Sequence, residues 1–195
     1  LSTDGKTATF NDVDGDIVTV KRTVGTFIGG DFVIPPTSSG GGHFASLNVT
    51  AAPNLAATGL TIGAKPGPDG GNGFVNLGLL AATGTAIGVV KIGGNLGTFN
   101  GGMTVLGKPG TASLTVQSFD ALDGATSASN FADGLGKLTV ATDVRTHLHA
   151  LAPGAAFGSI TIGGAVVDSG IVSTNGVASV KIGGSLRGGA IYGVQ

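Results

Sequence analysis

The sequence contains no cysteine and no tryptophan, and it has only one methionine and one tyrosine. Without cysteine, the chain cannot form a disulfide scaffold, a thiolate metal site or a cysteine nucleophile. Charged residues make up only 11% of the chain, and 10 basic residues against 11 acidic ones leave a net charge of −1. Because nucleic-acid binding relies on a basic surface, we predict no nucleic-acid partner.

Long apolar runs are also missing. No stretch reaches the roughly 18 apolar residues of a membrane span, so we predict no transmembrane segment. The mean hydropathy of +0.40 and the hydrophobic content of 41% are nevertheless too high for a disordered tail. We therefore expect residues 1–195 to form a single folded domain.

Glycine is the residue present in excess, at 38 of 195 positions, where an average protein has about 7%. Each glycine inside a helix costs about 0.8–1 kcal/mol relative to alanine. A helical bundle is therefore excluded, and we predict an all-β fold.

A decapeptide pattern recurs along the chain: apolar, two small or polar residues, apolar, any residue, apolar, three residues, apolar. Full copies occupy residues 87–96, 135–144, 157–166 and 177–186, and weaker copies occupy 44–49 and 111–116. The second central apolar position falls at residues 49, 92, 116, 140, 162 and 182. The last four intervals are 24, 24, 22 and 20 residues, and the first leaves room for two repeats.

One copy of the pattern describes one turn of a solenoid. Val180 and Ile182 share a strand face, and Lys181 points the opposite way. Gly183 and Gly184 then turn the chain, which we attribute to the positive φ that glycine tolerates. Stacked turns would form one inward column and one outward column. The inward column is Val90/Ile92, Leu114/Val116, Leu138/Val140, Ile160/Ile162 and Val180/Ile182; the outward one is Lys91, Thr115, Thr139, Thr161 and Lys181.

These features predict a right-handed parallel β-helix of about seven to eight coils over residues 44–195. An antiparallel sandwich is the main alternative, because short strands with glycine turns describe it equally well. A sandwich, however, has no reason to repeat one decapeptide.

The two ends of the chain differ in pattern. Residues 1–30 alternate in two runs around Asp14-Gly15, which we interpret as a two-residue turn and a hairpin that caps the first coil. The last copy, 177–186, is complete and no cap follows it. Because open strand edges pair with other chains, we predict that this coil stacks on another subunit or on further coils.

The Phe10–Lys21 hairpin and the Val-Lys-Ile-Gly-Gly units at 90–94 and 180–184 resemble the glycine-rich β-helix repeats of large surface proteins. Such proteins occur in planctomycete and verrucomicrobial bacteria. The resemblance implies an exported or surface-displayed bacterial segment, such as a stalk or adhesin, and it carries no catalytic residues.

The strongest candidate metal site is a weak calcium loop formed by Asp12, Asp14 and Asp16. The calcium template requires glycine after the third aspartate, where this chain has Ile17. Residues 70–75 approach a calcium β-roll repeat but have Val75 in place of its aspartate. We predict no cofactor, with calcium as the one alternative.

Three further patterns fit structural roles better than chemical ones. His147 and His149 share a strand face, but only Asp143 could supply a third metal ligand, so we expect a solvent-facing pair. Residues 102–108 match a phosphate loop by spacing, but Pro109 stands in the Ser/Thr position. Asp120 and Asp123 form the best local acidic cluster.

We therefore predict a non-catalytic structural protein with no catalytic residues. The alternative is an adhesin-like module that binds through loops at 35–43, 64–73 or 123–134. A polysaccharide-active enzyme is less favoured because acids are scattered and sugar-stacking aromatics are scarce. An ice-binding protein is also less favoured, because its flat face needs paired threonine columns.

Overall fold

The computed structural model describes residues 1–12, 14–35, 44–49, 58–68, 70–102, 110–120 and 128–193. In this part of the chain the only helix is a 3-10 turn at Gly29–Asp31. The first strands are β1 (Thr7–Asn11), β2 (Asp16–Arg22), β3 (Phe32–Val33), β4 (Phe44–Asn48), β5 (Thr58–Pro66), β6 (Val75–Thr83), β7 (Ile87–Ile92), β8 (Gly94–Gly102) and β9 (Thr111–Val116). The remainder are β10 (Ser118–Phe119), β11 (Ala128–Phe131), β12 (Leu135–Val140), β13 (His147–Ala150), β14 (Phe157–Ile162), β15 (Val166–Val167), β16 (Gly170–Ser173), β17 (Val177–Ile182), β18 (Leu186–Arg187) and β19 (Ala190–Gly193).

The strands stack as a parallel β-solenoid. Sheet A has the order β1-β2-β5-β7-β9-β12-β14-β17, and every pairing from β5 onwards is parallel. This arrangement confirms the predicted parallel β-solenoid and excludes the antiparallel sandwich. The described residues form about five turns, fewer than the seven to eight predicted. The early strands β1, β2 and β3 are antiparallel to their neighbours and precede the parallel turns.

The predicted columns of sheet A are present. Val90 pairs with Leu114, which pairs with Leu138, and the column continues through Ile160 to Val180. The outward column runs from Lys91 through the threonines to Lys181 in the same registers. Because each turn repeats the same spacing of apolar residues, a single strand register places apolar side chains on the inward face in every pair of neighbouring turns.

The second wall is sheet B, with the order β19-β16-β13-β11-β8-β6-β4-β3. A narrow third face joins the two sheets, through the pairing of β10 with β8 and of β15 with β18 and through the bridges of Val144 to Phe119 and Val166. The weak repeat copy at 44–49 was assigned to the wrong wall. Its strand β4 pairs with β6 in sheet B, and Leu60 and Ile62 hold the sheet A positions instead.

The glycine corners work differently from the prediction. Gly183 does not have a positive φ; instead, a Cβ there would overlap the carbonyl oxygen of Gly163 in the turn below. The corner after sheet A therefore needs glycine because stacked backbones approach closely. Positive φ values occur at the opposite corner, before the strands of sheet A, at Gly84, Gly134, Gly154 and Gly176.

The predicted N-terminal strands form a hairpin, but its turn is longer than expected. The Asp12 N–H donates to the Asp16 carbonyl at 2.9 Å, which leaves three residues between them. Gly15 has a φ of 96°, whereas Asp14 is not in the left-handed region. A three-residue loop with glycine in that region is the next commonest hairpin connection. Strand β2 lies antiparallel along β5, so β1 forms the outer edge of sheet A.

The solenoid interior is a continuous apolar core with stacked aromatic rings. Phe99 and Phe131 are parallel with ring centroids 4.6 Å apart, and Phe157 meets Phe131 edge-on at 5.5 Å. A second aromatic group lies beside the hairpin, where Phe10 contacts Phe32 and Phe44. Like side chains thus recur above one another, as the repeat requires.

Candidate functional site

The turn between β1 and β2 brings together the three predicted aspartates. Asp12, Asp14 and Asp16 each offer a carboxylate oxygen, and these oxygens lie within 4.8 Å of one another. The Asp16 backbone N–H donates to Oδ1 of Asp12 at 2.9 Å. The three residues named from the sequence therefore form one cluster, which we call the acidic turn.

A glycine-rich segment packs against Asp16 of the acidic turn. Asp16 is fully buried, and its two carboxylate oxygens accept the N–H of Gly73 at 3.0 and 2.8 Å. A Cβ at Gly71 would overlap Oδ1 of Asp16, so only glycine fits there. The Gly67 N–H also donates to the Gly15 carbonyl at 3.1 Å. The segment that resembled a calcium β-roll therefore covers the Asp16 carboxylate.

The surroundings of the acidic turn shift the pKa of one of its three aspartates, Asp12. Burial, together with a hydrogen bond to Asp14 and the charges of Asp14 and Asp16, raises the pKa of Asp12 to about 6. A backbone hydrogen bond from Asp16 acts in the opposite direction. Crowded carboxylates resist ionising together, and a hard cation such as Ca²⁺ is the ligand that oxygen clusters favour. Calcium binding stays the alternative to the predicted absence of a cofactor, and a calcium titration of thermal stability would test it.

The histidine pair has a structural role. His147 and His149 stack on β13 with ring centroids 5.8 Å apart, and Nδ1 of His147 accepts the N–H of Gly170 at 2.8 Å. An accepting Nδ1 leaves the ring proton on Nε2, so Nε2 of His147 cannot bind a metal while this bond lasts. Burial and the neighbouring His147 lower the pKa of His149. Asp143 is occupied elsewhere, because its Oδ1 accepts the Ala165 N–H at 2.7 Å.

Several sequence candidates lie partly outside the described residues. Asp120 is half-buried after β10, but its predicted neighbour Asp123 lies outside them. The phosphate-loop match is described only at Gly102. Of the predicted binding loops, residues 64–66 belong to β5 and residues 128–131 to β11, so these stretches are strand rather than loop.

A polar ladder on the third face was missed by the sequence reasoning. Nδ2 of Asn95 donates to Oδ1 of Asn76 at 2.7 Å, and the Ser118 hydroxyl donates to Oδ1 of Asn95 at the same distance. Asn76, Asn95 and Ser118 occupy one register across three strands. The three residues are unevenly spaced in the sequence, so the sequence pattern does not show that they share a column. The one signal in the sequence is that each of them precedes an inward-facing apolar residue.

The C-terminal coil, formed by β17, β18 and β19, is the least covered part of the apolar core. Val166 and Ile171 in the preceding turn are 0% exposed, whereas Leu186 and Ile191 at the equivalent positions are 46% and 38% exposed. Tyr192 is 55% exposed. Val180 and Ile182 are half-buried, although their partners Ile160 and Ile162 are buried. Apolar side chains that neighbouring turns would cover are therefore open at this end.

The backbone of β17 is also unpaired on one side. Both β17 and β19 are terminal strands of their sheets, so in the described part of the chain no strand pairs with their outer edges. An open edge of this kind is a template for strand addition. We regard this end of the solenoid as the principal candidate interaction site.

Comparison with protein-family models, curated proteins and solved structures finds no match to this chain. The resemblance to bacterial surface proteins therefore stays a prediction. The one helix among the described residues, the 3-10 turn, is far too short to span a membrane.

Proposed function

We propose that the chain is a non-catalytic structural β-solenoid that self-associates through its C-terminal coil and is displayed outside a bacterial cell. The main observation in support is that apolar side chains are buried inside the earlier turns but exposed at the C-terminal coil, where the outer edge of β17 is open. Exposed apolar groups beside an unpaired strand edge are a typical association surface. The right-handed winding that we assign follows the hand of parallel β-crossovers.

The N-terminal hairpin serves in this proposal as the cap of the opposite end. Ser2 binds both backbone groups of Thr7, and the buried Arg22 donates to the carbonyls of Val24 and Thr26 at 2.8 Å. The Arg22 guanidinium also lies 5.0 Å from the centroid of the Phe27 ring. In this proposal these bonds close the N-terminal end, so association is directed to the C-terminal end.

Sedimentation velocity over a concentration series tests this function. We expect a reversible assembly whose mass increases with concentration, and rod-shaped particles by electron microscopy. A Val180→Pro variant should stay folded but monomeric, because an edge strand tolerates proline where its N–H faces solvent. Lys91→Ala, on the outer face of a central turn, serves as the matched control and should associate normally. A strictly monomeric wild-type protein at high concentration would contradict the proposal.

A further inference from the structure

The backbone groups available at the C-terminal edge follow from the register. Gly183 N–H donates to the Ile162 carbonyl at 2.8 Å, and Ile162 pairs with Ile182. In a parallel ladder, alternate residues direct both backbone groups to the same neighbour. Lys181 therefore bonds towards β14, and Val180 and Ile182 direct their N–H and C=O groups away from the solenoid.

The N-terminal edge of a second copy does not match this surface. Ala8 pairs with Val20, and Val20 pairs with Ile62. From Ile62 the same column continues through the following strands of sheet A to Ile182, so Ala8 and Ile182 lie in one column. Axial stacking would therefore align only the first two residues of β1 with the end of β17. Of those two, Thr7 already has its N–H bound to the Ser2 hydroxyl at 2.9 Å and its carbonyl bound to the Ser2 N–H at 2.8 Å.

We infer that a second copy pairs tail to tail, with its β17 antiparallel to the first and a two-fold axis at Val180. This inference rests on the proposed self-association. The two Val180 residues then exchange both backbone hydrogen bonds, and their half-buried side chains meet on the inward face. Such an isologous contact closes a dimer and leaves no C-terminal strand edge for a third copy.

Charge and burial favour a two-fold axis at Val180 over an axis at either adjacent residue. With the axis at Val180, Lys181 lies opposite Ser179, and both residues are exposed. An axis at Lys181 would place the two lysines opposite each other, which is destabilising. An axis at Ser179 would place exposed Lys181 opposite half-buried Val177. The end-to-end contact also covers the exposed Leu186, Ile191 and Tyr192 of both copies.

Cysteine cross-linking tests the register cleanly, because the chain has no native cysteine. Ser179 and Lys181 of the partner would form a non-hydrogen-bonded pair, with Cα atoms about 4.5 Å apart. That separation lies within the range of about 4.4–6.8 Å that disulfides span. We expect an equimolar mixture of Ser179→Cys and Lys181→Cys to give several-fold more disulfide dimer under mild oxidation than either variant alone. Thr115→Cys, on an exposed position of a central turn, is the control and should not cross-link.

The alternative arrangements give different products. Cross-linking of Lys181→Cys to Thr7→Cys in the same assay would establish a head-to-tail contact and overturn the two-fold axis, although self-association would stand. Equal yields from the mixture and from each variant alone would reject the register. Monomeric sedimentation of the unmodified protein together with no cross-linked product would reject both this inference and the proposed function.

Discussion

Nδ2 of Asn95 donates to Oδ1 of Asn76 one turn earlier in the solenoid, at 2.7 Å. The same Asn95 amide oxygen accepts the Ser118 hydroxyl from the following turn at 2.7 Å. Three turns are therefore tied by a partly buried polar column on the third face. This column adds side-chain hydrogen bonds to the backbone pairing of β6 with β8 and of β8 with the two-residue strand β10.

Replacing Asn95 by alanine should lower the free energy of unfolding by about 1–2 kcal/mol, because it leaves Asn76 and Ser118 without their shared partner. Chemical denaturation monitored by circular dichroism measures the change. Asn100→Ala, on the exposed outer face of sheet B, is the control and should change stability by less than about 0.5 kcal/mol. Equal losses from the two variants would show that the column contributes nothing.

The aromatic stack in the interior predicts a larger effect. Phe131 is fully buried between the rings of Phe99 and Phe157. Phe131→Ala should cost about 3–5 kcal/mol, because neighbouring turns cannot collapse into the cavity. Phe74→Ala removes the same side chain at a position that is 46% exposed and should cost far less. Similar denaturation midpoints for the two variants would refute the role of the stack.

Two corner glycines at the same pattern position should respond oppositely to alanine. A Cβ at Gly163 would overlap the Ala141 carbonyl oxygen, so Gly163→Ala should cost about 1–3 kcal/mol. A Cβ at Gly93 would have its nearest neighbours, Gly63 Cα and the Ile62 carbonyl oxygen, at 3.7 Å, which is ordinary contact. Gly93→Ala should therefore be neutral or stabilising, by up to about 1 kcal/mol, because alanine restricts the unfolded chain. Thermal melts of the pair would decide whether stacked carbonyls require the glycine.

The raised pKa of Asp12 predicts a pH dependence of stability with a defined sign. Its value moves from 3.8 to about 6 on folding, so between these values the folded protein binds more protons than the unfolded chain. The free energy of unfolding should therefore fall as the pH rises from about 4 to about 6. Asp12→Asn should remove this slope and raise the melting temperature at pH 7.

Asp4→Asn provides the control for the Asp12 prediction. Hydrogen bonds from Ser2 and from the Lys6 backbone lower the pKa of Asp4, so its contribution to stability is lost towards acid rather than gained. Asp4→Asn should thus leave the decline between pH 4 and 6 intact. If Asp12→Asn left that decline unchanged as well, the acidic turn would not be its source.

The repeat spacing was enough to predict the stacked strands and the residues of each column. From Val90 to Val180, each apolar pair repeats at nearly constant separation, and only parallel stacking satisfies every pair at once. The three candidate aspartates lie close together, as residues spaced two apart around a hairpin turn can, whereas calcium binding by them stays untested.

Other features depend on contacts between segments that are distant in the chain. The sequence of residues 44–49 fits either wall, and only the pairing of β4 with β6 assigns it to sheet B. The sequence does not distinguish the roles of Gly183 and Gly15. Gly183 is required because a carbonyl of the neighbouring turn leaves no room for a Cβ, whereas Gly15 is required by its own positive φ. The burial of Asp16 likewise depends on Gly73, 57 residues later. Local periodicity therefore determined which residues face inward. The roles of the glycines, the burial of Asp16 and the open C-terminal edge depend instead on the distance between stacked turns and on loop closure. No single repeat encodes these two properties, so only the tertiary structure decided them.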